Sequence, residues 1–488
     1  MSADAATSES ETLPSPQTNP ITLDDVITTV YASYPSLDAA SRERQIAAAK
    51  QLAAMGEFDV DLVGESMNEA MGYYKNYRNG LGLKQYNWSG GQTFAGYRIG
   101  RGFFEPWYKE RQTNDGGEFK AGFALPFLRD RDIDKRRAAV FQARIDRAAA
   151  EPAFQAEVVD TVFAASVTYW NWVAAGQRVQ IAQQALQLAS DRQAAMVTRA
   201  DKGEIARIEL VDNERLIVSR EAKLVEAQLK LQQAAIKLSL FLRDPAGTPL
   251  IANAAQAPKD FPQVGRPQLE TAAGLTSLAL AQRPELRMLQ LEQQTQELKM
   301  QQASNQALPG LDGLLTASQD VGGPADPKRD KSQFELEAGL ALDVPLQRRE
   351  ATGNLQAARA KLAQLAAKKT YLEQSIAAEV QSARAAIEAN ATTLETARRT
   401  AALTRELADA ERTKLERGDS NILTVNLREV ATIEAELLVI DAEANYYVAE
   451  AQLHAATAAE LNYSPALALD APGARLDSPP ADVSVPQP

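Results

Sequence analysis

The sequence predicts an α+β membrane protein built from two structural repeats, each a β-hairpin followed by two long antiparallel coiled-coil helices. Three observations predict this class. Long segments are rich in Ala, Gln, Leu, Glu and Arg, and short segments alternate strictly between apolar and polar residues. Two glycine-centred breaks, at Gly203 and Gly418, interrupt the helical segments about 215 residues apart.

Composition excludes several functional classes. The chain of 488 residues has a formal net charge of −12, which argues against a general nucleic-acid binder. It has no cysteine and one histidine, His454, so disulfides, zinc-finger sites and most Ser-His catalysis are excluded. No phosphate-binding loop or dinucleotide fingerprint is present. The sequence therefore predicts neither an enzyme nor a cofactor.

Two pairs of similar segments, separated by nearly the same number of residues, indicate an internal duplication. When Gly203 is aligned with Gly418, Glu214 aligns with Glu429 without a gap. Upstream, FKAGFALPFLRD resembles LEAGLALDVPLQRR, and in each a proline precedes the charged start of a long helix. With two copies the chain is not a solenoid array.

The duplication predicts a domain plan. Its parts are a disordered lead over 1–20, a first repeat over 21–242, a linker over 243–283, a second repeat over 284–461, and a C-terminal segment and disordered tail over 462–488. The first repeat comprises a helix over 41–55, strands 58–67 and 118–127 with a long loop over 68–117, a long helix over 128–201 and a return helix over 206–242. The second comprises a helix over 284–307, strands 311–321 and 334–344, a long helix over 346–417 and a return helix over 422–461.

The long helices carry the spacing of coiled coils. Ala358 and Leu365 are seven residues apart, and Ile376, Val380 and Ile387 continue an apolar stripe. Each long helix could reach roughly 110 Å at 1.5 Å per residue. Pro152 is expected to kink or restart the first one.

The strands alternate over a length that suits a bilayer. Apolar residues at every second position of 334–344 and 118–127 define one face, and mostly charged or small residues define the other. A tilted strand needs about 9–11 residues to cross a membrane. Four such strands are recognisable, and four cannot close a barrel. Three chains would supply twelve, an even number in the usual range.

An aromatic cluster occupies the predicted long loop. It suits either a loop at a membrane interface or a small subdomain that packs on itself, and the sequence leaves both open. Glycines in this segment favour turns and hairpins, and the number of strands that it contains is open as well. Its members are Tyr73, Tyr74, Tyr77, Tyr86, Trp88, Phe94, Tyr97, Phe103, Phe104, Trp107 and Tyr108.

Several motifs, taken in order, resemble the TolC-like outer-membrane efflux proteins. They are RPELRMLQLE at Arg283, LPGLDGLLTAS, GLALDVPLQRR, TYWNWV at Thr168 and the return hairpin RGDSNILTVNLREV. The resemblance covers about residues 21–470. It implies a homotrimer in which a 12-stranded β-barrel in outer-membrane lipid continues as a 12-helix α-barrel through the periplasm, with 243–283 and 462–488 at its equator.

The resemblance also implies a function. The trimer would be a passive exit duct of a tripartite efflux or secretion system, docked to a periplasmic adaptor (membrane fusion protein) and an inner-membrane efflux or ABC transporter. The sequence departs from the family because no signal peptide is evident and the 68–117 loop is long. The rival interpretation is a soluble or periplasmic coiled-coil scaffold or adaptor.

Candidate site residues lie at the predicted breaks and junctions. Gly203 and Gly418 would supply the φ > 0 conformation of a tight reversal, and Ser420 and Asn421 would cap the returning helix. The resemblance makes the hairpin tips docking sites for the adaptor, through Gly203, Glu204, Ile205, Gly418, Asp419, Ser420, Asn421 and Ile422. Pro126 and Pro345 mark the strand-to-helix junctions.

The family also often carries carboxylates that face the pore after the tip glycine. Glu209 and Asp212 match in the first copy, and Thr424 holds the place of the first carboxylate in the second. Three chains would form a ring of six carboxylates, which could sense pH or bind cations. The alternative is a solvated helix face.

Overall fold

The computed structural model describes residues 19–265, 269–325 and 330–462. Within these ranges the chain forms eight α-helices and one six-stranded antiparallel sheet. The helices are α1 (Leu23–Ser33), α2 (Pro35–Met55), α3 (Lys135–Asp201), α4 (Arg207–Leu238), α5 (Ala272–Gln282), α6 (Pro284–Gln306), α7 (Arg349–Arg417) and α8 (Ile422–Thr457). The strands are β1 (Val60–Glu69), β2 (Asn76–Tyr86), β3 (Gln92–Gly102), β4 (Glu118–Pro126), β5 (Gly310–Asp320) and β6 (Glu335–Asp343). Most of the predicted lead and tail, 1–18 and 463–488, lies outside the described residues.

The chain divides into two compact units. The helical unit contains the chain up to Leu37, Val158–Gln282 and the chain from Glu379. The sheet unit contains Asp38–Glu157 and Arg283–Ala378. In the part of the chain described above, no helix is both long enough and apolar enough to cross a membrane.

The apolar stripe predicted on the second long helix is buried. Leu365, Ile376 and Val380 of α7 are fully buried, and Ala358 and Ile387 are nearly so. Coiled-coil spacing therefore gives α7 a continuous packing face.

Of the two outcomes predicted for Pro152, a restart of the first long helix is wrong, and a kink stays a prediction. Helix α3 continues through this proline. Phe154 and Val158 on the following turns are 4% and 1% exposed. Their burial stabilises the helix against the lost backbone hydrogen bond.

Aromatic side chains form part of the core of the helical unit. Trp170 of α3 stacks on Tyr447 of α8 with ring centroids 4.2 Å apart, and Phe261 stacks on both. The Tyr447 hydroxyl donates to the Pro262 carbonyl over 2.9 Å. The aromatic motif noted on the first long helix thus fixes an irregular segment of chain to two helices.

The six strands run in sequence order across one sheet, each antiparallel to its neighbours. Strands β2 and β3 lie within the segment predicted as a loop over 68–117. That loop and the count of four strands are therefore wrong, and with them the basis of the twelve-stranded count. Glycines explain the error, because Gly80, Gly82, Gly96 and Gly100 alternate with larger residues and weaken the apolar and polar pattern.

The strands also break the symmetry that a duplication predicts. Four strands precede α3 and two precede α7. The β-hairpin expected in each repeat is therefore present in the second half, whereas the first half has twice as many strands. The duplication itself stays a prediction.

Candidate functional site

The chain reverses between α3 and α4 at Gly203. Gly203 has φ of 76°, in the left-handed region that favours glycine. Its N–H donates to the Ala200 carbonyl over 2.9 Å, and the Glu204 N–H donates to the Arg199 carbonyl over 2.9 Å. These two bonds form the Schellman pattern, which satisfies the last carbonyls of a helix.

The reversal between α7 and α8 has the same hydrogen bonds. Gly418 has φ of 82°. Its N–H donates to the Leu415 carbonyl over 3.1 Å, and the Asp419 N–H donates to the Lys414 carbonyl over 2.9 Å. The predicted φ > 0 is confirmed at both glycines.

The two returning helices begin differently. Asn421 caps α8, because its Oδ1 accepts from the Thr424 N–H over 2.9 Å. Ser420 was also expected to cap this helix, and that is wrong. Its hydroxyl instead donates to the Glu411 carboxylate, which lowers the pKa of Glu411. Helix α4 follows Ala206, whose methyl group cannot accept a hydrogen bond.

The residues predicted to dock an adaptor all lie at the two helix reversals. Glu204 forms an ion pair with Arg199 at 3.3 Å. Gly203, Glu204, Gly418, Asp419 and Asn421 are exposed, whereas Ile205, Ser420 and Ile422 are half-buried. A docking role for this surface stays a prediction.

The predicted pore residues lie just after the reversals. Glu209 is in the first turn of α4, and Asp212 follows three residues later. Both are half-buried, and Asp212 forms an ion pair with Arg215 at 3.0 Å. The Thr424 hydroxyl donates to Asn421 Oδ1 over 2.9 Å, so it takes part in the cap of α8. A pore-lining role for these three side chains stays a prediction.

Sequence reasoning missed a buried ion cluster around Glu429. The Glu429 side chain of α8 is 2% exposed. It forms ion pairs with Arg192 of α3, with Arg220 of α4 at 3.1 Å and with Arg412 of α7 at 3.3 Å. One carboxylate therefore connects all four helices of the two hairpins.

Burial makes this cluster energetically important. Burial lowers the pKa of the Arg192 guanidinium from its ordinary value, and the neighbouring carboxylate of Glu429 opposes that shift. A buried carboxylate is tolerated when guanidinium groups surround it closely. Arg192 and Arg220 lie 237 and 209 positions before Glu429, so no local spacing could have revealed the cluster. The repeat alignment was misleading too, because Glu214, the equivalent of Glu429, is exposed.

One face of the sheet is apolar and exposed. The register places Leu62 opposite Leu83, Leu81 opposite Tyr97, and Leu315 opposite both Phe123 and Ala338, all on this face. The alternation predicted for 118–127 and 334–344 is confirmed. Large exposed side chains on this face include Val60, Leu62, Leu81, Leu83, Phe119, Phe123, Leu336, Leu340 and Leu342.

The opposite face of the sheet is polar and charged. Arg98 of β3 forms an ion pair with Glu118 of β4, and Lys84 of β2 lies directly opposite Asp61 of β1. Further charged residues on this face are Glu65, Arg78, Lys120, Asp312, Asp320, Glu335 and Glu337. The sheet is therefore amphipathic across its whole width.

The connection between β3 and β4 folds back onto the polar face. The Thr113 N–H donates to the Gly100 carbonyl over 3.0 Å, and the Gly100 N–H donates to Thr113 Oγ1 over 3.1 Å. The Asn114 N–H donates to Asp320 Oδ2 over 2.8 Å. A Cβ on Gly100 would lie 2.0 Å from the Arg111 carbonyl oxygen, so glycine permits this close approach.

Turns at the prolines lead from the sheet to the long helices. Pro126 ends β4, and Pro345 lies two residues beyond β6. Asp130 and Arg348, just before α3 and α7, have φ of 65° and 43°. Arg137 fixes the first turn, because its guanidinium donates to the Arg131 carbonyl over 2.8 Å and to Asp134 over 3.1 Å. A role for the two prolines as strand-to-helix junctions stays a prediction.

Solved outer-membrane channels share this fold. The structure of the outer membrane protein VceC from Vibrio cholerae aligns with a TM-score of 0.65 and 16% identity, covering 89% of this chain and 96% of VceC. The open state of the MtrE outer membrane channel from Neisseria gonorrhoeae aligns with a TM-score of 0.63 and 15% identity, covering 94% and 98%. For the Campylobacter jejuni CmeC outer membrane channel the TM-score is 0.62, the identity is 14%, and the coverage is 93% and 90%.

Sequence similarity identifies the family. No curated protein matches the sequence. The model of the outer membrane efflux protein family matches residues 110–242 and 275–459, which together exceed half of the chain. Strands β1, β2 and β3 precede the matched residues. The chain therefore belongs to the outer membrane efflux protein family.

Proposed function

We propose that three copies of this chain form a passive exit duct that carries solutes from the periplasm across the outer membrane. The observation that carries the proposal is the sheet, which is apolar and exposed on one face and charged on the other. A face of this kind suits lipid, and the charged face suits water. The long helical hairpins would continue the duct into the periplasm.

The two open edges of the sheet require several copies of the chain to combine their strands. Among the described strands, β1 pairs only with β2, and β6 pairs only with β5. An open edge cannot lie in lipid, because its N–H and C=O groups would have no hydrogen-bond partners. Head-to-tail pairing of identical sheets removes every edge once the ring closes. A soluble scaffold would instead leave the apolar face in water.

The first test is the assembly itself. We expect the purified protein to require detergent and to have the mass of a trimer, and we expect it to conduct ions in planar bilayers. A monomer that stays soluble without detergent would contradict the duct and favour the coiled-coil scaffold.

The hairpin tips would contact a periplasmic adaptor, itself joined to an inner-membrane efflux or ABC transporter. Supporting this role, Glu204 and Asp419 are exposed, and Ile205 and Ile422 present partly exposed apolar surface beside them. Replacing Ile205 and Ile422 together with lysine should weaken adaptor binding at least several-fold in a pull-down. Leu438→Lys, an exposed position on α8 away from the tips, is the matched control.

The carboxylates near the first tip would form an acidic constriction. In a trimer, Glu209 and Asp212 would supply six carboxylates, and such a ring attracts cations. The double variant Glu209→Gln, Asp212→Asn should reduce cation selectivity and block by divalent cations in single-channel recordings. Glu214→Gln, at an exposed position of α4, is the control. An unchanged reversal potential in the double variant would assign both carboxylates to an ordinary solvated helix face.

A further inference from the structure

Strands β2 and β3 form a hairpin inserted between β1 and β4 of the sheet. Its first and last residues, Asn76 and Gly102, lie opposite each other in the register. Immediately outside them, the Phe103 N–H donates to the Lys75 carbonyl over 2.8 Å. The chain therefore leaves and rejoins the same point of the sheet, with the whole hairpin closed between them.

The hairpin is fully integrated in the plane of the sheet. Every residue of β1 has a partner on β2, and β3 pairs with β4 from Gln92 to Arg98. The apolar and polar faces of the hairpin continue the apolar and polar faces of β1 and β4. Leu81 and Leu83 lie on the apolar face with Leu62 of β1, and Ala95 lies there with Ala121 of β4.

Charges on the polar face match across both borders of the hairpin. Lys84 of β2 lies opposite Asp61 of β1. Arg98 of β3 lies opposite Glu118 of β4 and forms an ion pair with it. Directly opposite residues of unlike charge stabilise a strand pair. Unlike charges therefore face each other where the hairpin meets β1 and where it meets β4, as expected of neighbouring strands in one sheet and not of a separate loop domain.

Glycines allow the two strands of the hairpin to lie close together. Gly82 of β2 lies opposite Gly96 of β3, both on the polar face. A Cβ on Gly96 would lie 3.0 Å from the Gly82 Cα and from the Leu81 carbonyl oxygen. A side chain at this pair would press on the backbone of the facing strand, so glycine permits the close approach of β2 and β3.

We propose that the inserted hairpin is part of the wall of the trimeric duct, so that each chain supplies six strands and the closed sheet has eighteen. The inference rests on the proposed function, since it takes three copies and pairing between β1 of one copy and β6 of the next. Six is an even number, so β1 and β6 run in opposite directions and the ring closes with antiparallel pairs throughout.

Eighteen strands have a consequence for transport. The diameter of a closed sheet grows roughly in proportion to strand number, so the outer mouth would be about 1.5 times as wide as one of twelve strands. The hairpin also contributes Arg78, Lys84 and Arg98 to the polar face, and no carboxylate. Its share of the lining is therefore cationic, beside acidic neighbours such as Asp61 and Glu65.

The chain has no cysteine, so single cysteines test the proposal in the full-length trimer. On the hairpin, Leu83→Cys and Ala95→Cys lie on the apolar face, and Lys84→Cys and Phe94→Cys lie on the polar face. Leu340→Cys and Glu337→Cys are the matched pair on β6. In liposomes, we expect a charged water-soluble thiol reagent to modify the polar-face cysteines many times faster than the apolar-face cysteines, on the hairpin as on β6.

The outcomes separate the two proposals. Equal modification of both hairpin faces, with alternation retained on β6, would overturn the inference and leave the duct intact. Loss of alternation on β6 as well would contradict the duct. Electron microscopy of the trimer in lipid nanodiscs gives an independent count, in which eighteen strands would support the inference and twelve would overturn it.

Discussion

Neutralising Glu429 should destabilise the helical unit strongly. In Glu429→Gln the amide fills nearly the same volume but leaves Arg192 and Arg220 without their carboxylate partner, whereas Arg412 keeps its ion pair with Asp409. The Arg220 and Arg192 side chains are 5% and 13% exposed, so water can compensate little of the lost attraction. Removing one partner of a buried ion pair typically costs about 3–5 kcal/mol. We expect a loss in this range.

The matched control lies on the same helix. Glu436 pairs with Arg405, whose side chain is 66% exposed. An exposed pair contributes about 0–1 kcal/mol, so Glu436→Gln should change stability little. Both variants remove one negative charge from α8. They differ chiefly in how deeply the arginine partners of the glutamate are buried.

The assay is denaturant unfolding of the detergent-solubilised protein, followed by helical circular dichroism. A double-mutant cycle with Arg220→Met checks the mechanism, because contacting charges should give a coupling energy of about 0.5–3 kcal/mol. If Glu429→Gln loses no more stability than Glu436→Gln, or if the cycle is additive, the cluster does not hold the two hairpins together.

Three further predictions concern single positions. Gly418→Ala should lower the free energy of unfolding by about 1–2 kcal/mol, because Gly418 has a positive φ. Gly353→Ala, inside α7, should raise it by roughly 1 kcal/mol. If denaturant unfolding showed both substitutions changing this free energy in the same direction, the assignment of the turn would be contradicted. Gly100→Val should displace the β3–β4 connection from the polar face. We therefore expect proteolysis within 103–114 to be faster than in the wild-type protein. An unchanged rate of proteolysis would refute the close approach of the Arg111 carbonyl to Gly100. Burial raises the pKa of Tyr447 to about 12, above the value of about 10 of an unfolded tyrosine, so its stabilising contribution is present below pH 10 and is lost as pH rises toward 12. Tyr447→Phe should therefore flatten the alkaline loss of stability, and an unaltered pH profile would contradict this.

Local signals in the sequence specify the helices and the two reversals. Heptad spacing in α7 and glycine at 203 and 418 are local signals, because side-chain periodicity and backbone φ depend on near neighbours. The alternating strands β4 and β6 were readable for the same reason. Large apolar residues at every second position distinguish the two faces without knowledge of the partner strand.

The number of strands in the sheet and the Glu429 cluster instead depend on contacts between segments that are distant in sequence. Strands β2 and β3 carry glycine where a polar side chain would have marked the polar face, so their alternation is weak until pairing with β1 and β4 establishes it. The cluster brings together Arg192 and Glu429, which are 237 positions apart. Contacts at that separation arise when helices pack, and no spacing along the chain encodes them.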